Sequence, residues 1–250
     1  MAPPAVSVLR SPDALQHLVW RGDQVASAAP GIATGHAALD AVLPGKGWPV
    51  GALTEILVPH TGVGELGLIL PLLQRVPERR WAVCIAPPGQ LYAPALSSAG
   101  IPLERLLLVD AESPAHARWA ARQSLNSHSC AAVVMWLAEA DNGALRRLQL
   151  AAEESATTLI LIRPATVAGQ PSPAVLRLAL TARDGGVDVR VLKRRGPQLA
   201  GPVAIDLPRL PVTPAPSPQS TQPSGHAVIH ALVRPLPARS APAGLRTGAG

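Results

Sequence analysis

The feature that most constrains this chain is a series of short apolar runs separated by stretches that suit helices. Runs at 53–58, 81–86, 105–109, 131–136 and 158–162 alternate with segments 65–75, 91–99, 114–126 and 142–155. That alternation predicts repeated βαβ units around a mostly parallel sheet, because strands covered by helices on both faces read as nearly continuous apolar runs. The last helix-compatible segment is amphipathic: Leu145, Leu148 and Ala152 share one face, while Arg146, Arg147, Gln149, Glu153 and Glu154 lie largely on the other. Right-handed crossovers would collect the loops after the parallel strands at one edge of the sheet, the edge where ligands bind in open α/β folds.

The pattern then changes. Leu176 to Thr181 and Val187 to Leu192 alternate at period two around Arg183-Asp184-Gly185-Gly186. This predicts an antiparallel hairpin burying Leu176, Leu178, Leu180, Val187, Val189 and Val191 on one face. Lys193-Arg194-Arg195 closes it, a solvated strand end in the simpler reading and a phosphate contact in the other.

The chain falls into three parts. Residues 1–29 are a lead segment with a short helix expected over 13–20 and a linker over 27–30. Residues 30–207 carry the α/β core, and 208–250 form a Pro-rich tail with the composition of disorder, interrupted by the apolar island 227–233. With no Phe and one Tyr, the core must be packed with aliphatic side chains and Trp, and Trp119 and Trp136 are expected in it. The net charge of +6 is thinly spread: 18 Lys+Arg stand against 15 Asp+Glu up to residue 200, and 4 against 1 beyond. Such a weak excess carries no strong nucleic-acid signature. Cys84 and Cys130 lie in or beside apolar runs without CxxC or His pairing, so buried thiols are expected. His116, His128, His226 and His230 lack metal-ligand spacing. No apolar run reaches membrane-spanning length and the first residues do not resemble a signal peptide, so a cytoplasmic protein is expected.

The loop after the first strand holds the chemistry. A phosphate loop reads GxxxxGK followed by Ser or Thr: backbone N–H groups wrap phosphate, the Lys neutralises it and the hydroxyl holds Mg²⁺. Here the loop runs Thr61-Gly62-Val63-Gly64-Glu65-Leu66. Gly64 is in place, but Glu65 stands where Lys is needed and Leu66 where the hydroxyl is needed. A reversed charge beside a polyphosphate costs kilocalories in a partly desolvated loop. Thr61, Gly62, Gly64, Glu65 and Leu66 are therefore a degenerate phosphate loop, with no cofactor, metal or catalytic residue expected.

The stretch from Thr34 to Gln74, with its Leu39-Asp40 pair, Gly-rich turn and the Gly51 and Glu55 of a GxxxE-type strand, resembles the entry to a RecA-like core. Two further strands match that core without its chemistry: Ala86-Pro87-Pro88 replace the expected acidic positions, and no carboxylate ends the strand at Trp136, although Glu139 and Asp141 follow. Together with the segments APPGQLYAPALSSAGI and LLLVDAESPAHARWAARQSL, the degenerate loop resembles the ImuA family over about residues 30–195. That family shades into the SulA cell-division inhibitors. The resemblance implies an α/β RecA-like core with a mostly parallel sheet, and a non-enzymatic, DNA-damage-induced accessory role in mutagenic translesion synthesis. Its implied partners are an ImuB-like homologue of Y-family polymerases and an error-prone replicative-type polymerase, with RecA a further candidate and direct DNA contact left open.

Two alternatives stand beside it. One is a SulA-like inhibitor of division. The other is an unconventional ATPase using Thr61, Gly62 and Gly64 for phosphate, Lys46 for charge and Glu139 or Asp141 for metal, against the simpler reading of Lys46 as a loop residue and of the two acids as helix caps.

Overall fold

The computed structural model describes residues 29–207. The lead helix expected over 13–20 and the Pro-rich tail with its apolar island lie outside these residues. A short helix α1 (Ala37–Val42) precedes β1 (Ala52–Val58), α2 (Glu65–Gln74), β2 (Trp81–Ile85), α3 (Ala93–Ser98), β3 (Leu106–Val109), α4 (Pro114–Asn126) and β4 (Cys130–Trp136). Then follow α5 (Asn142–Ser155), β5 (Thr158–Pro164), β6 (Leu176–Arg183), β7 (Gly186–Lys193) and β8 (Val203–Asp206).

The eight strands form one sheet in the order β3-β2-β4-β5-β1-β6-β7-β8. All pairings from β3 to β6 are parallel, and β6-β7 and β7-β8 are antiparallel. The mostly parallel sheet and the closing hairpin thus follow the alternation and the period-two segments of the sequence. β8 was not legible there; it extends the hairpin by pairing Val187 with Ile205.

Side-chain alternation divides the interior in two. Along β4, Ala132, Val134 and Trp136 join one cluster with Ile56, Ile69, Leu73 and Leu96, under α1, α2 and α3 and the inner face of the hairpin. Val133 and Met135 point the other way, meeting Leu125, Leu145, Leu148 and Leu159 under α4 and α5. Period two along each strand therefore sends successive residues into opposite layers, which is why a parallel strand here must be apolar throughout. All six hairpin residues expected inside are buried. Trp136 is buried too, but Trp119 is not in the core: it sits on the outer face of α4 and is 50% exposed. In that helix, small Ala117, Ala120 and Ala121 supply the buried stripe, so the bulky ring is left outside.

Candidate functional site

β1, β2 and β4 run parallel, so the three positions whose chemistry differs from the RecA-like pattern share one edge of the sheet: the loop after Val58, the segment after Ile85 and the segment after Trp136. Lys46 lies at the other end of β1, in the turn that precedes it, where its backbone takes φ +55°. A seven-residue strand spans roughly 20 Å, so Lys46 cannot supply charge to the loop after β1.

Within that loop, Gly62 (φ +83°) and Gly64 (φ +123°) turn the backbone so that successive amides converge. A Cβ on Gly64 would stand 2.7 Å from both Leu207 Cδ1 and Val187 Cγ1, so the position requires glycine on both conformational and packing grounds. The converging amides have a partner within the chain. Gly62 N–H donates to Glu65 Oε1 at 2.8 Å and Gly64 N–H donates to Glu65 Oε2 at 3.1 Å. Glu65 is the first residue of α2 and is buried. Its carboxylate also complements the positive end of that helix. The side chain at the position expected for a phosphate-loop lysine thus carries the opposite charge and occupies the loop's own converging amides. Leu66 is half-buried and packs on the main core instead of facing the loop, and Thr61 is exposed.

At the end of β2, Ala86 takes a left-handed conformation (φ +50°) and its N–H donates to Val109 O at 2.8 Å. The Ala86-Pro87-Pro88 turn itself carries no carboxylate. At the end of β4, Asp141 is the N-cap of α5, its Oδ1 accepting from Ala144 N–H at 2.7 Å. That bond, assisted by Arg147 and Arg118, holds its carboxyl below the usual carboxylate range. Glu139 is exposed and does not cap the helix. Among the described residues no group of three or more His, Cys, Asp and Glu could hold a metal ion. No described helix is long and apolar enough to cross a membrane.

The sequence did not reveal a second charged assembly under the same edge. Glu55, in the middle of β1, is fully buried between two arginines from the neighbouring strands. Arg163 Nη1 on β5 donates to its Oε1 at 2.9 Å, and Arg177 Nε on β6 donates to its Oε2 at 2.6 Å. Arg177 spends its remaining donors on the carbonyls of Val167, Ala168 and Gln170, each at 3.1 Å. Arg163 makes one long bond to Ala140 O at 3.3 Å, and its buried Nε has no partner among the described residues. The available signal was a charge interrupting each of three apolar strands. The triad ties the loops after β4 and β5 to the centre of the sheet.

The family model described as "Cell division inhibitor SulA" matches residues 51–158, a stretch holding the loop after β1 and the ends of β2 and β4 but not Arg163 or Arg177. Protein ImuA from Caulobacter vibrioides is 30% identical over 131 residues, covering 50% of this chain and 54% of its own length. The match therefore spans about half of that relative. Cell division inhibitor SulA from Klebsiella aerogenes is 30% identical over 106 residues, covering 42% of this chain and 63% of its own. A crystal structure of SulA from Pseudomonas aeruginosa is similar at 30% identity and a TM-score of 0.39, over 44% of this chain and 97% of that one. By these matches the chain is an ImuA/SulA-like protein.

Proposed function

We propose that this chain is a non-catalytic accessory protein of DNA-damage-induced mutagenic translesion synthesis, built on a RecA-like core and acting through protein contacts. The observation that carries the reading is the Glu65 carboxylate seated on the amides of Gly62 and Gly64. A polyphosphate entering this loop would meet a like charge, lose two amide donors already in use, and find no lysine, no hydroxyl ligand and no acid at the ends of β2 or β4. What remains is a helix-covered parallel sheet with loops gathered on one edge, a scaffold suited to presenting a surface. The RecA-like part of the reading is supported by the order in which α1, the Gly-rich turn, and the Gly51 and Glu55 of β1 lead into that loop.

The expected partners are an ImuB-like homologue of Y-family polymerases and an error-prone replicative-type polymerase, with RecA a further candidate. Co-purification of the full chain with an ImuB-like protein at micromolar concentration tests this directly, and failure to associate would overturn it. Isothermal calorimetry with ATP and Mg²⁺ tests the alternative of an unconventional nucleotide-binding ATPase, with no heat and no melting shift expected. The match to SulA supports division inhibition less well, because the chain continues beyond it through β5 to β8 with two further members of the buried triad. Cell filamentation on overexpression with unchanged mutation frequency would reverse that preference.

A further inference from the structure

A cavity of about 370 Å³ opens between the loop after β4 and the loop after β5. Its wall includes Arg163 and Arg118, its rim Glu139 and Asp141, and Val167 and Gln170 close it from the β5 side. We propose that this cavity is a pocket for a single carboxylate, with the Arg163 guanidinium as its anchor. The inference stands apart from the translesion reading and holds whether or not that reading does.

The buried triad sets two guanidiniums against one carboxylate, leaving one positive charge in excess in the interior. A buried charge must be paired or richly hydrogen-bonded to be tolerated. Arg177 meets that demand, with every nitrogen engaged. Arg163 does not: it has one charged partner, one long carbonyl bond and a buried Nε without a partner among the described residues. Of the two arginines, Arg163 is also the one among the residues lining the cavity, behind whose wall its guanidinium is buried. Arg118, half-buried on α4 and in no salt bridge among the described residues, also lines the cavity and shares its charge with Asp141.

The rim sets the selectivity. Asp141 is committed to capping α5, and Glu139 is exposed at the mouth. Two carboxylates at the entrance repel a phosphate dianion more strongly than a monoanion, while a planar carboxylate matches the fork of a guanidinium. The chemistry therefore favours one carboxylate, from either a small metabolite or an acidic side chain of a partner protein.

The test uses the full ¹⁵N-labelled chain, following arginine Nε–H resonances as sodium acetate replaces sodium chloride at constant ionic strength. One Nε–H signal, missing from the spectrum of Arg163→Lys, is expected to move along a saturating curve. Arg118→Ala should weaken apparent acetate affinity about fivefold or more with only a small change in melting temperature, from its minor effect on Asp141. Should Arg163→Lys fail to fold, Glu139→Gln leaves the triad untouched and is expected to tighten acetate about two- to threefold and to admit inorganic phosphate. A blocked Gly-Asp-Gly peptide binding better than acetate, with its Asn counterpart silent, would identify the source as a protein side chain; equal binding would identify a small carboxylate. A linear shift, one unaffected by Arg118→Ala, or tighter binding of phosphate than acetate to the unaltered protein would overturn the proposal.

Discussion

Glu55 and Arg177 are 122 positions apart in the chain and meet at 2.6 Å in the interior of the sheet, with Arg163 on the other oxygen of the same carboxylate. Removing the shared acid leaves two guanidiniums buried without a counter-charge. Glu55→Ala is therefore expected to lower stability by about 3–5 kcal/mol, measured by urea unfolding. Replacing all three members with apolar residues of similar volume should cost far less, since the desolvation penalty disappears with the charges. If Glu55→Ala unfolds within about 1 kcal/mol of the unaltered protein, the two ion pairs do not form as described.

The Glu65 carboxylate makes a different kind of contact, to neutral amides at a helix start. Glu65→Ala leaves Gly62 N–H and Gly64 N–H without their acceptor. The expected loss is about 1.5–3 kcal/mol, the range for hydrogen bonds to a charged group. Glu65→Gln, which keeps one acceptor oxygen, should fall between the two. Glu65→Lys places a lysine at the phosphate-loop position but supplies neither a hydroxyl at Leu66 nor a carboxylate at the ends of β2 and β4, so no ATP turnover is expected from it. A phosphate-release assay showing turnover in Glu65→Lys would mean that the remaining machinery is present after all.

The sheet was legible in the sequence because its cause is local. Each parallel strand is a short apolar run, and the hairpin of β6 and β7 announces itself by period two and by Asp184-Gly185-Gly186. β8 has neither signal: four residues, Val203 to Asp206, follow a stretch rich in Pro and Gly and gain their identity only by pairing with β7. The acidic residue in the loop after β1 was equally legible. Where its charge goes was not, because that depends on the glycine conformations that turn two amides toward Glu65. The triad was hidden for a third reason. Arg163 lies 108 positions from Glu55, and only the strand order brings the two together. Trp119 was misplaced because a scarcity of aromatics argues for burying each one, whereas the alanine stripe of α4 fixes which face turns inward.

The capping bond from Ala144 N–H to Asp141 gives the protein an acid-sensitive element. Its carboxyl is held below the usual range chiefly by that bond, so the folded state binds its proton less readily than the unfolded one. The stabilisation is present above the unfolded value near pH 3.9 and is lost as pH falls through the lower, folded value. Asp141→Ala is thus expected to melt earlier than the unaltered protein at neutral pH, with the gap closing below about pH 4. A gap that stays constant between neutral pH and pH 3 would remove the cap from the account.

Burial pushes the Cys84 thiol up to about 12 and raises that of Cys130 less far, where Ser127 and Arg80 work against the desolvation. The thiolate is the species that reacts with alkylating agents. At pH 8 a group with that value is ionised in only about one molecule in ten thousand, and the fully buried side chain also excludes the reagent. Native protein treated with iodoacetamide should therefore show Cys84 unmodified by mass spectrometry, Cys130 modified more slowly than a free thiol, and both labelled at equal rates in urea. The same shift has a thermodynamic face. Above the unfolded value near pH 8.5 the unfolded chain releases the Cys84 proton while the folded chain keeps it, so stability falls as pH rises toward 12. Cys84→Ala should flatten that alkaline decline relative to the unaltered protein. An unchanged slope, or rapid native labelling of Cys84, would show that the thiol is not sealed between β3 and β4 on the second strand of the sheet.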